Sequence, residues 1–269
     1  MQFRVLYSDV DGTITGPRGE LLAGADNTPT LAAVEALIAA RAAGLTIVLC
    51  SGRDRLRLAE TARLLGLRDY LAELGGVCVT AEGEVPTYAR GACPGDGPPA
   101  QTILPIAQAI VAQNPGRAEL HDPWNANREI SIMVRGTLDL DATHAWLRDQ
   151  GYDWVRVHEN GVSARTSPTL PDVAPMHVYH VTPDGIAKAS AIATDIARRG
   201  VDPSECAFVG DAAADLDVAP YVGRMYLVGN GLAHRPHLAS TLDQHPNASV
   251  TRAHYGDGFA ECVHALLDA

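Results

Sequence analysis

The chain has 269 residues, 46% of them hydrophobic and 20% charged, with a formal net charge of -11 and a pI near 5.3. An acidic balance with no basic stripe excludes broad binding to nucleic acid or an anionic membrane, and no apolar run is long enough to cross a bilayer. Its five cysteines, odd in number and never spaced as C-x-x-C, fit reduced thiols in the cytoplasm better than a disulfide framework or a zinc knuckle.

The chain opens on the apolar, β-prone stretch Phe3 to Tyr7 with no charged leader before it, so no export signal is expected and Phe3 to Ser8 reads as a buried strand. Asn27 and Thr28 precede Pro29 and set the start of a helix with Leu31, Val34, Leu37 and Ile38 on one face, closed by Gly44. Leu45 to Cys50 forms a second strand, and Asp54 to Leu65 another helix. Two successive βα units predict a parallel sheet.

From about Glu82 to Pro175 the pattern changes. The stretch opens with the Pro/Gly-rich Arg90 to Pro99 and closes with the proline-punctuated Ser167 to Pro175, both plausible joints. Between them the periodicity predicts helices over Gln101 to Gln113 and Asp141 to Gln150, and strands over Glu129 to Val134, Trp154 to His158 and Val162 to Thr166. From His177 the βα alternation returns, with strands to Val181, over Cys206 to Val209 and over Met225 to Val228, and a helix over Ile186 to Arg199. The expected fold class is therefore α/β: a Rossmann-like parallel-sheet core of residues 1–82 and 176–269, interrupted by a small α+β domain of residues 83–175.

Four segments carry chemistry. Asp9-Val10-Asp11-Gly12-Thr13 follows the first strand, where ligands of open parallel sheets bind. Two carboxylates on that turn can divide labour, Asp9 as nucleophile and Asp11 as the acid and base; the plainer alternative is an ordinary Asp-Gly turn. An EF-hand beginning at Asp9 would find Glu20 at its last position, but Ile14 occupies the glycine position and a strand precedes where a helix is needed. Ser51-Gly52-Arg53 ends the second strand and opens a helix, so the Ser51 hydroxyl and the backbone N–H groups from Gly52 onward can hold a phosphoryl oxygen; otherwise Ser51 is a simple cap.

Lys188 lies in the first turn of a helix, where a cation opposes the helix dipole. That local cost suggests a tertiary purpose, against the plain reading of a solvent-facing lysine. Asp211 and Asp215 stand at i, i+4 after the strand ending at Val209, a spacing at which like charges repel unless a cation intervenes. A site collecting Asp9, Asp11, Asp211 and Asp215 would repel a phosphate dianion, so a hard divalent cation, magnesium, is needed. Its expected ligands are a carboxylate oxygen of Asp9, the Asp11 carbonyl and Asp211, with Asp215 in support. Elsewhere Gly229-Asn230-Gly231 lacks the third glycine of a dinucleotide fingerprint, and His177 and His180 would point to opposite faces of a strand, which argues against zinc.

The ordered set D-x-D-G-T, serine, lysine and G-D-x-x-x-D, carried by Asp9 to Thr13, Ser51, Lys188 and Asp211 with Asp215, resembles the haloacid dehalogenase (HAD) superfamily of phosphohydrolases. The long insertion resembles the C2 cap, of the C2B kind, and Ser51 to Arg53 with Val181 to Lys188 looks like the Cof or IIB branch. The resemblance implies an aspartyl-phosphate on Asp9, phosphoryl binding by Ser51 and Lys188, and a small phosphorylated metabolite, a sugar phosphate or phosphoglycerate-like compound, as partner. Ala214 stands where many relatives have asparagine and Ala212 replaces a frequent glycine, so one hydrogen bond of the last motif is missing.

Two other readings remain: a phosphomutase or phosphotransferase using the same intermediate, and a catalytically silent binding protein on this fold. A P-type ATPase is excluded by Asp11, where those pumps have threonine. His121, Trp124, Asn127, Arg128, Arg135, His158 and Arg165 are the insertion's candidates for substrate recognition, with no spacing rule to rank them. Nothing in the sequence specifies an oligomer.

Overall fold

Short runs of valine, leucine, isoleucine and tyrosine build the centre of the molecule because a parallel strand covered on both faces must be apolar throughout. The computed structural model describes residues 2–80, 83–163 and 166–269. Its first unit is β1 (Val5–Ser8), α1 (Ala32–Ala42), β2 (Thr46–Cys50), α2 (Arg55–Leu64), β3 (Asp69–Ala72) and the edge strands β4 (Val77–Thr80) and β5 (Gly83–Tyr88). There follow α3 (Pro99–Gln113), β6 (Ala118–Leu120), β7 (Ile132–Gly136), α4 (Leu140–Asp149), β8 (Val155–Ser163) and β9 (Met176–Pro183). The chain then runs through α5 (Lys188–Arg199), β10 (Cys206–Gly210), α6 (Ala213–Leu216), β11 (Arg224–Leu227), α7 (Gly229–His234), α8 (Leu238–Leu242), β12 (Ala248–Val250) and α9 (Tyr255–Leu267).

Eight strands form one sheet in the order β12-β11-β10-β1-β2-β3-β4-β5, parallel except for β4 and β5. The expected α/β class is present. From β1 the chain winds outward through β2 and β3 on one side and later through β10, β11 and β12 on the other, so the strand order reverses at β1 and opens a crevice beyond its carboxyl end. Apolar layers cover both faces of the sheet. One includes Leu6, Leu49 and Phe259, the other Tyr7, Ile192 and Phe208.

A second, four-stranded antiparallel sheet has the order β6-β7-β9-β8, with its own core of Ile103, Ile106, Ile110, Leu147 and Val181. The strand expected near His177 as the return to the first sheet lies here instead, Val181 standing opposite both Ile132 and Val157. Alternation of strand and helix does not disclose which sheet a strand joins; partners such as Ile132, far off in sequence, decide it. The strand expected from Glu129 begins only at Ile132, because the N–H groups of Glu129, Ile130 and Ser131 donate to the buried Glu73 carboxylate rather than to a ladder. The two strands expected at Trp154 and Val162 are one, β8, with its register broken between Glu159 and Val162. Among the described residues no helix is long and apolar enough to cross a membrane.

The face of α1 also differs from expectation. Leu31 and Ile38 are 58% and 64% exposed, whereas Ala33, Ala36, Leu37 and Ala40 are buried. α1 packs on α9, where a Cβ on Gly256 would stand only 3.0 Å from that of Ala33; a small side chain at Ala33 permits this approach. Leu37→Ala should therefore cost about 2–4 kcal/mol in denaturant unfolding, while Ile38→Ala should stay within about 0.5 kcal/mol. The reverse order would restore the leucine-rich face.

Candidate active site

Parallel pairing sets Ser8 opposite Leu49 on one side and Val209 on the other, so the residues that follow these strands emerge together at the crevice. Asp9 lies just beyond β1, Ser51 just beyond β2 and Asp211 just beyond β10. Lys188, the first residue of α5, reaches in from the chain's later half: its Nζ donates to Asp9 Oδ1 at 2.9 Å and to Asp215 Oδ1 at 2.7 Å. All three side chains are buried. Burial opposes the ammonium charge, but the carboxylates of Asp215 and Asp9 outweigh it and hold the Lys188 pKa well above its ordinary value. The unfavourable place of a cation at a helix start is thus offset by two buried ion pairs.

Asp215 is fully engaged. Its Oδ2 accepts the N–H groups of Asp211 and Ala212, both at 2.9 Å, which closes the turn after β10. Asp211 is different: its nearest cation is Arg235, whose Nη1 stands 3.7 Å from Oδ2. Burial, then the nearby charges of Asp9 and Asp215, push Asp211 up to about 8. Asp9 is raised to about 6 by burial, with Lys188 pulling the other way and Asp215 adding to the rise. Ligand oxygens of Asp9, Asp211 and Asp215 all lie within 4.8 Å of one another. Three carboxylates in that space, one without a close counter-charge, fit a hard divalent cation, with Asp9 and Asp211 offering the free oxygens.

Asp11 stands apart from this trio. It is more than half exposed, and Arg53 holds it bidentately, Nε to Oδ2 at 2.7 Å and Nη2 to Oδ1 at 2.6 Å. Gly12, at φ +84°, lets the loop turn back against Asp211, where a Cβ would stand 2.7 Å from Oδ2. Ser51 is buried and its Oγ accepts the Arg53 N–H at 3.3 Å, while the Gly52 carbonyl accepts from Arg128 Nη2 at 2.9 Å.

Several residues here escaped sequence reasoning. Asn230, dismissed with the failed dinucleotide fingerprint, is buried and joins two distant loops: its Nδ2 donates to the Gly12 carbonyl and its Oδ1 accepts the Tyr255 N–H. Its signal was a glycine pair at a strand end on the same edge of the sheet. Glu73 and Leu74, at φ +49° and +60°, carried no signal at all. Glu73 takes three backbone N–H groups and the Ser131 hydroxyl, and Arg128 lies 3.6 Å from it.

Of the residues nominated for recognition, His158 borders the site, in a cavity of about 50 Å³ that it shares with Asn160, Lys188 and Ala214. Trp124 stacks under Arg57, 3.9 Å from ring centroid to guanidinium carbon, and Arg135 pairs with Glu119. His121 and Arg128 are buried, Asn127 is exposed, and Arg165 lies outside the described residues.

No protein-family model matches the chain. It is 27% identical over 266 residues to a phosphoglycolate phosphatase of Methanoculleus marisnigri, covering 97% of this chain and 95% of that one. A haloacid dehalogenase-like hydrolase from Bacteroides thetaiotaomicron superposes with a TM-score of 0.67 at 19% identity, covering 98% and 99% of the two chains. The sucrose-phosphatase of a Synechocystis species, in complex with sucrose and phosphate, does so with a TM-score of 0.65 at 16% identity, covering 99% and 98%. These two structures share the fold.

The raised carboxyls have a thermodynamic consequence. Asp9 and Asp211 bind protons more tightly in the folded protein, at about 6 and about 8, than an ordinary aspartate at 3.8, so they stabilise the fold at low pH and lose that contribution as pH rises through 6 and then 8. In chelator, the melting temperature should fall by at least about 5 °C between pH 5 and pH 9, and Asp211→Asn should flatten the upper part of that slope. Magnesium should raise the melting temperature more at pH 8.5 than at pH 5, since it needs the deprotonated acids. A wild-type slope identical to that of Asp211→Asn would contradict the charge state described.

Proposed function

We propose, from the premise that this chain is a haloacid dehalogenase-type phosphatase, that it hydrolyses the phosphomonoester of a small metabolite with Asp9 as nucleophile and magnesium as cofactor. The observation that carries this reading is the buried Lys188 held between Asp9 and Asp215, with Asp211 beside them short of positive charge. Such an arrangement costs stability unless it serves a ligand.

In this reading Asp9 and Asp211 hold the metal through carboxylate oxygens, with the Asp11 carbonyl as a further ligand and Asp215 in support. When bound, the cation supplies Lewis-acid stabilisation of the phosphoryl oxygens and cancels repulsion between the acids and the substrate. An Asp9 oxygen forms the bond to phosphorus as the ester oxygen leaves, and Asp11 gives that oxygen its proton. Asp11 then takes a proton from water as the water oxygen attacks the aspartyl-phosphate, releasing inorganic phosphate and restoring Asp9. For each transfer Asp11 must loosen at least one of its two bonds to Arg53. Lys188, the Ser51 hydroxyl and the Gly52 N–H grip the transferred group. The missing asparagine at Ala214 leaves a smooth wall beside Lys188.

The substrate class is a small sugar phosphate or a phosphoglycerate-like compound, supported by relatives named phosphoglycolate phosphatase and by the small cavity at Lys188. The four-stranded sheet acts as the cap; in this reading the cap of residues 83–175 also takes in β9, while β5 pairs in the core sheet. Five free thiols support the cytoplasm as its location.

Asp9→Asn should reduce phosphate release by more than about a thousandfold in protein that circular dichroism shows to be folded, with a lowered melting temperature because Lys188 loses one of its two acids. Chelation should abolish turnover and added magnesium should restore it. Isomerised sugar phosphate without inorganic phosphate would identify a mutase instead, and retained turnover in Asp9→Asn would remove the nucleophile.

A further inference from the structure

The cations around the acids are nearly all spoken for. Lys188 serves Asp9 and Asp215, Arg53 serves Asp11, and Arg128 gives its nitrogens to the Gly52 and Trp124 carbonyls and to Ser131. Arg235, just past α7, differs. Its Nη1 donates to the Asp211 carbonyl at 3.2 Å, but among the described residues Nε and Nη2 donate to no protein atom. The side chain is about one-fifth exposed, at 21%, beside Asp211.

The opposite wall is shaped to leave them free. Around the register break of β8, His158 and Asn160 line the small cavity with Lys188, and the next residue, Gly161 at φ +97°, abuts the guanidinium: a Cβ there would stand 3.1 Å from Arg235 Nη2. A side chain at this position would cover the donors. The same strand thus lies beside both Lys188 and Arg235, and a molecule that engages both cations would be anionic at both ends.

We propose that Arg235 is a specificity residue that binds a carboxylate on the substrate, making the preferred substrates short phosphomonoesters of hydroxy acids. This rests on the phosphatase reading, with the phosphoryl group at Lys188 and Ser51. A planar guanidinium with Nε and Nη2 free presents the two parallel donors that match a carboxylate. Loss of such a charge-assisted pair is worth about ten- to a hundredfold in affinity.

The test compares 2-phosphoglycolate with 2-hydroxyethyl phosphate, which has the same chain and no charge at the far end, using the full chain with magnesium. The wild type should favour the carboxylate ester by at least about tenfold in kcat/KM. Arg235→Gln should bring that ratio near unity, chiefly through KM, and Arg235→Lys should retain part of it. A ratio unchanged in Arg235→Gln overturns the proposal, including the case in which both esters fall together, which would make Arg235 a support for Asp211. A wild type without preference overturns it as well.

Calorimetric binding of both esters to Asp9→Asn repeats the comparison without turnover. Tighter binding of 2-phosphoglycolate that disappears on adding Arg235→Gln supports the inference, and equal binding sinks it. Failure of the wild type to hydrolyse either ester, with that binding difference intact, would count against the phosphatase reading alone.

Discussion

A buried ammonium held between two carboxylates organises this molecule. Lys188 ties the loop after β1 to the turn after β10, two segments that also meet where Gly12 packs against Asp211. Three charges removed from water are costly, and they are tolerated because each has close partners: the lysine has two acids, and Asp215 also receives two backbone N–H groups. Deleting Lys188 would take the shared cation from both acids, and deleting either acid would leave the ammonium with one carboxylate partner. The geometry of the crevice is therefore rigid where the acids converge.

What that arrangement leaves uncompensated is equally informative. Asp211 lies among acids with only a distant arginine for company, and its carboxyl holds its proton to about pH 8. A group so placed is poised for a cation, and its neighbours Asp9 and Asp215 are near enough to share one. Around this centre the second sheet is tied to the first through polar contacts of unusual depth. Glu73 gathers the N–H groups that precede β7, and Arg128 reaches across to the Gly52 carbonyl. The loop after β2 is thereby braced from both sheets, which couples any movement of the insertion to the edge where ligands would sit.

Most of the large elements were legible because their apolar periodicity is strong. β1, β2, β10, α3 and α5 fall within a few residues of where the pattern puts them. The failures have specific causes. β3, β4, β6 and β12 are short strands whose pairing partners, rather than their own composition, make them strands. α1 turned Ala33, Ala36 and Ala40 inward beside Leu37, with α9 coming close at Ala33. Asn230 was hidden in a segment judged against the wrong template, and Glu73 works through a left-handed backbone and a buried carboxylate that no local pattern announces.

The chain's own letters determined which groups could do chemistry: the acids after two strand ends, a serine after a third, and a lysine where a helix start makes it unwelcome. Residue type and strand-end position suffice for that, since parallel pairing sends consecutive carboxyl ends to one edge. Only the tertiary structure decided how those groups divide. Asp11 went to Arg53 while Asp9 and Asp215 took Lys188, Arg235 kept two donors free, and β9 joined the second sheet. These outcomes depend on distances between residues up to 179 positions apart, set by how two sheets pack, and the linear order of side chains does not encode them locally.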